Sequence, residues 1–84
     1  MNTEVFVKLI KDAIVEDYNK TQGTRITEND VYIVWCCKTL QNSKALASTT
    51  VNGDGIYYEI TYNGDKSEMY LDRYKKQENK CIKL

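Results

Sequence analysis

The chain has 84 residues, 42% hydrophobic and 29% charged, with 12 Lys and Arg balancing 12 Asp and Glu. That length fits one domain spanning residues 1–84, and the zero net charge speaks against both a basic nucleic-acid binder and an acidic DNA mimic. Histidine is absent, which removes Ser-His and Cys-His nucleophile pairs and imidazole acid–base chemistry.

The first segment reads as a helix. Phe6, Leu9, Ile10, Ala13, Ile14 and Tyr18 recur at helical spacing and form one apolar stripe. Asn2 or Thr3 can cap its start, and Glu4 sits where the helix dipole favours an acid. Asn19 to Gly23 should end it, since Gly23 can take the left-handed conformation of a helix stop.

From Val31 the period changes to two. Val31, Ile33, Trp35 and Cys37 should share one face of a strand, with Tyr32, Val34, Cys36 and Lys38 on the other. On that alternation Trp35 is expected in the core, and Cys36 and Cys37 as small buried hydrophobes. Two apolar faces on one strand also suggest a second buried layer or a subunit interface, so a homodimer is the expectation. Leu40 to Ser43 reads as a polar turn, Lys44 to Val51 as a second strand, and Asn52-Gly53-Asp54-Gly55 as another turn.

Asn63-Gly64, between Ile56–Tyr62 and Asp65–Tyr74, has the composition of a two-residue hairpin loop. Counting outward pairs Tyr62 with Asp65, Glu59 with Glu68, Tyr57 with Tyr70, and Ile56 with Leu71. Ile56, Tyr58, Ile60, Met69 and Leu71 then lie against the helix, while Tyr57, Glu59, Thr61, Lys66, Glu68 and Tyr70 lie on the opposite face. The fold class expected is α+β, with one N-terminal amphipathic helix packed on a four-stranded antiparallel meander. Residues 77–84 read either as a short fifth strand or as a loose end.

No catalytic constellation is visible, so the chain is not expected to be an enzyme and no cofactor is implied. Three cysteines (Cys36, Cys37, Cys81) without histidine or a C-x-x-C spacing make a poor metal site. Their odd number, with no signal peptide or membrane span, fits a cytoplasmic setting. Two binding regions stand out. Tyr57, Glu59, Glu68 and Tyr70 would offer aromatic contact area with carboxylates to a cationic partner. Lys38, Gln41, Asn42 and Lys44, at the first turn, could instead hold an anion or a nucleotide edge. Arg73, Lys75, Lys76, Lys80 and Lys83 gather near the C-terminus against Asp72 and Glu78 alone.

The segment from Val34-Trp35-Cys36-Cys37-Lys38-Thr39-Leu40-Gln41-Asn42 to Leu46, with Tyr57-Tyr58-Glu59, Tyr62-Asn63-Gly64-Asp65-Lys66 and Tyr70-Leu71-Asp72, resembles a family of short phage and prophage proteins. That family comes from Gram-positive bacteria and has no known function, and the likeness covers most of residues 28–82. It implies a phage-encoded, non-catalytic binding protein that antagonises a host system, most readily defence, by inhibiting a host protein. Two other readings remain open. One is an oligomeric sponge for a nucleotide-like signal, with Lys38, Lys44 and the C-terminal lysines on phosphates and Trp35 or a tyrosine on the base. The other is a structural or replication accessory protein. Membrane association and direct nucleic-acid binding are not expected.

Overall fold

The computed structural model describes residues 2–84. Helix α1 runs over Thr3–Gln22, with the Asn2 side chain accepting the Val5 N–H at 2.8 Å and Gly23 closing it at φ 72°. Both ends are therefore as the sequence predicts. Phe6, Ile10, Ile14 and Tyr18 are buried, whereas Leu9 stays partly exposed. Each fully buried apolar side chain contributes about 1.5–3 kcal/mol, so this one stripe fixes the helix on the sheet. The chain then turns back through Asn19, whose amide accepts from Ile26 N at 2.7 Å and donates to Ile26 O at 3.1 Å. A single 3₁₀ turn at Glu28–Asp30 follows, boxed by Thr27 and Asp30. Lys8 reaches from the helix to Glu28 at 2.6 Å.

Four strands complete the fold: β1 (Val31–Thr39), β2 (Asn42–Thr49), β3 (Ile56–Asn63) and β4 (Glu68–Lys75). They form one antiparallel sheet in the order β1-β2-β3-β4, the meander expected. The helix covers one face, where Ala45, Ala47, Ile56, Tyr58 and Ile60 complete the core with Ile26 and Val31. Ala45 and Ala47 are both fully buried there. β4 is the last strand: residues 76–84 form no fifth strand and are exposed.

Two details depart from the sequence reading. The first is a bulge in β1, where Ile33 pairs with Ala47 but Trp35 pairs with Leu46, leaving Val34 as the extra residue. An added residue swaps the faces of everything after it. Val31 and Ile33 therefore turn toward the helix, and beyond the bulge it is Cys36 and Lys38 that do so. Trp35 is displaced from the core to the far face and is 46% exposed. Cys36 and Cys37 are exposed rather than buried, and all three thiols are free.

The second is the register of the last hairpin. Its loop has four residues, 64–67, rather than two. Tyr57 pairs with Tyr74, Glu59 with Asp72, Thr61 with Tyr70, and Asn63 with Glu68. The Asn63 side chain accepts the Asp65 N–H at 3.1 Å, and Ser67 takes the left-handed conformation at φ 52°. Gly64 serves a different purpose from the one expected: its N–H donates to Gln41 O at 3.0 Å, joining the last hairpin to the first turn. The slip is an even number of residues, so the strand side chains keep their predicted face while changing partners, whereas Lys66, expected on the open face, lies in the loop instead.

Tyrosine hydroxyls tie helix to sheet at the core's edge. Tyr58 donates to Asp17 at 3.0 Å, and Asp17 also accepts from Arg73 at 2.8 Å. Tyr18 donates to Asp54 in the β2–β3 loop. The Asp54 hydrogen bond, aided by burial, pushes the Tyr18 phenol up to about 12 from an ordinary 10.0. A phenol whose pKa is higher folded than unfolded stabilises fully below the unfolded value and loses that contribution as pH climbs to the folded one. The urea midpoint should therefore fall between pH 10 and pH 12. Tyr18→Phe should show a shallower fall over the same window, and an identical slope in the two proteins would contradict the linkage.

Candidate functional site

Because α1 lies on one side only, the far face of the sheet is uncovered among the described residues. β1 contributes Trp35, Cys37 and Thr39 to it, through the bulge. β2 adds Asn42, Lys44, Leu46 and Ser48, the alternate positions to its buried Ser43, Ala45, Ala47 and Thr49. β3 and β4 add Tyr57, Glu59, Thr61, Asn63, Glu68, Tyr70, Asp72 and Tyr74 by the same alternation. Trp35, Tyr57, Tyr70 and Tyr74 are all well exposed. Tyr57 and Tyr74 stack, with ring centroids 5.1 Å apart and planes 13° from parallel. That geometry holds two rings as one rigid platform, which presents contact area at little entropic cost.

Toward the other end of the strands the face dips into an open depression of about 390 Å³. Trp35 and Tyr70 line it from opposite edge strands, with Asn42, Lys44, Thr61 and Asn63 among its floor residues. The Tyr70 hydroxyl donates to Glu68, and this hydrogen bond raises the phenol above its ordinary pKa.

Charge on the face is unequal. Lys44 stands 3.6 Å from the Glu59 carboxylate, while Glu68 and Asp72 add two further carboxylates. Glu59 lies directly across the ladder from Asp72, and like charges so placed cost a few tenths of a kcal/mol. Glu59 first, then burial, then Asp72 raise the Tyr74 phenol above its usual range. The face thus carries aromatic rings toward both ends of the strands and is net negative around the tyrosine stack.

Seven residues singled out in the sequence share this face: Trp35, Asn42, Lys44, Tyr57, Glu59, Glu68 and Tyr70. Lys38 and Gln41 do not join them. Lys38 lies beyond the bulge on the helix side, near Asn2, Phe6 and Cys36, and Gln41 occupies the two-residue turn. Lys38 pairs with Ser43 while Lys44 pairs with Cys37, so by strand alternation the two lysines lie on opposite faces and do not jointly grip one anion. The backbone N–H of Lys76 donates to Gly55 O at 2.8 Å, so the lysine-rich tail leaves from the end of the sheet opposite that turn. Tyr74, Asp72 and Leu46 belong to the face but were not anticipated. Tyr74 was hidden by the hairpin slip, although its alternation with Tyr70 already assigned it to that side.

Among the described residues no group of three or more His, Cys, Asp or Glu is placed to hold a metal ion. Nor, among those residues, is any helix long and apolar enough to cross a membrane. The fold is that of a small α+β domain with a half-covered sheet. The chain belongs to a family of unknown function, DUF6275, whose model matches residues 7–84. No curated protein and no solved structure matches it.

Proposed function

We propose that this chain is a non-catalytic binding protein of phage or prophage origin that uses its open sheet face to dock on a bacterial host protein and disable it, a defence component being the target favoured. The phage context rests on the resemblance of the Lys38–Leu46 and Thr61–Lys66 segments. The observation that carries the binding role is the uncovered face itself, with a stacked tyrosine pair, an exposed tryptophan and three carboxylates. Exposed aromatic area of this kind on a thin domain marks an interaction surface.

The depression between Trp35 and Tyr70 supports a second reading, a sponge for a planar, nucleotide-like ligand, with Lys44 on its phosphate. Electrostatics weigh against it. An anion there would meet Glu59 and Glu68, with Lys44 the one counter-charge on that face among the described residues. An accessory role in phage structure or replication has no feature of the face in its favour.

Tagged chain recovered from a lysate of a Gram-positive bacterium separates these readings. The wild type should retain one protein stoichiometrically, and Tyr57→Ala with Glu59→Lys should cut recovery at least about tenfold, the loss of about 1.4 kcal/mol or more expected of interface anchors. Lys20→Ala, on the exposed side of α1, should leave recovery unchanged. A small adduct lost with Lys44→Ala would instead support the sponge, and capture indifferent to the open face would overturn the proposal.

A further inference from the structure

The lysine-rich tail and the acidic aromatic face are complementary features of one chain. Residues 76–84 carry Lys76, Lys80 and Lys83 against Glu78 alone, and no helix or strand forms there. Their apolar residues are uncovered: Ile82 is 76% exposed and Leu84 fully so. Lys80 reaches its neighbour Glu78, at 3.7 Å on the surface. The family match extends through residue 84, so the tail is part of the domain the family shares.

We infer that the open face of one copy receives residues 76–84 of a second copy, forming a reciprocal dimer. Lys80 and Lys83 would meet Glu59, Asp72 and the Tyr57–Tyr74 stack, a pairing of ammonium groups with carboxylates and aromatic faces. Ile82 and Leu84 would meet the exposed ring surface. Dimensions agree. Nine extended residues span about 30 Å, whereas four strands are only about 14 Å across between the outer axes. Face-to-face contact of the sheets alone would cover on the order of 400 Å² on each copy, about half of what a standard interface buries on each partner. Clasping tails supply the missing contact. This inference rests on the open face being a docking surface, and adds that a host protein must displace the tail to reach it.

The test is a charge swap on the full chain, read by light scattering after size exclusion. The wild type should run at twice the chain mass of 9.8 kDa. Lys80→Glu with Lys83→Glu should run as a monomer, as should Glu59→Lys with Asp72→Lys. All of these positions are exposed or half-exposed, and unchanged circular dichroism would show that the fold survives. Mixing the two variants should restore a dimer containing one of each, because both tail–face contacts are again complementary. A monomeric wild type, a dimeric single-sided variant or a mixture that stays monomeric would each overturn the inference. A monomer that still captures a host protein through Tyr57 and Glu59 would overturn it while leaving the proposed function standing. A restored mixed dimer with no host protein captured would do the reverse.

Discussion

Tyr58→Ala is expected to lower unfolding stability by about 3–5 kcal/mol, the range for truncating a large buried aromatic. Tyr58 is fully buried in the middle of β3, and it is the residue through which sheet and helix share both apolar contact and a hydrogen bond. Its hydroxyl donates to Asp17, so truncation opens a cavity and leaves Asp17 with Arg73 alone. A domain of this size has a total stability of roughly 4–13 kcal/mol, so the variant should be substantially unfolded on mild heating. Tyr58→Phe separates the two contributions. It keeps the ring and should cost about 1.5–3 kcal/mol, the net value of one hydrogen bond to a charged group. Urea unfolding followed by circular dichroism measures both. If Phe cost as much as Ala, the hydroxyl rather than the ring would be the main contributor.

Gly64→Ala should destabilise the protein by about 1–3 kcal/mol, as overpacking does in a filled site, despite being a surface substitution. A Cβ at Gly64 would lie 2.2 Å from Gln41 O and 3.1 Å from Gln41 C. Both are backbone atoms, so no side chain can swing away. Relief requires separating the two turns and breaking the Gly64 N–H to Gln41 O bond. Gly53 provides the contrast. A Cβ there meets nothing within 4 Å, but the residue sits at φ 80°, so Gly53→Ala should cost only about 1–2 kcal/mol for the left-handed backbone. Gly64→Ala should additionally speed amide exchange at both turns, which Gly53→Ala should not. Equal exchange in the two variants would show that the turns are not coupled through Gly64.

That contact also explains why part of the fold was hidden in the sequence. The helix, its two caps and the four-strand meander were legible because each rests on local signals: spacing, a capping side chain, a left-handed glycine, alternation. Asn63-Gly64 was misread because the dipeptide has two uses. Its usual role sets a tight hairpin, whereas here Gly64 makes room for a carbonyl more than twenty positions earlier in the chain, a contact no local pattern announces.

Much of the candidate site survived that error. Tyr57, Glu59, Glu68 and Tyr70 fell on the open face as expected because an even slip preserves parity. Trp35 and Lys38 did not fare so well, since one bulged residue at Val34 reverses parity. Both faces of β1 are rich in apolar residues there, so hydrophobicity gave no hint of where the reversal falls. The family of short phage proteins suggested by the resemblance and the family of unknown function found by comparison agree in leaving the partner to experiment.

Trp35 offers the most direct measurement, because it is the chain's one tryptophan and lies on the open face. Acrylamide quenching of its fluorescence should be efficient in the dilute free chain. Adding the captured host protein, prepared without tryptophan, should shield it and shift its emission to shorter wavelength. Quenching and emission unchanged at saturating partner would mean that binding occurs elsewhere and that the open face is not the recognition surface.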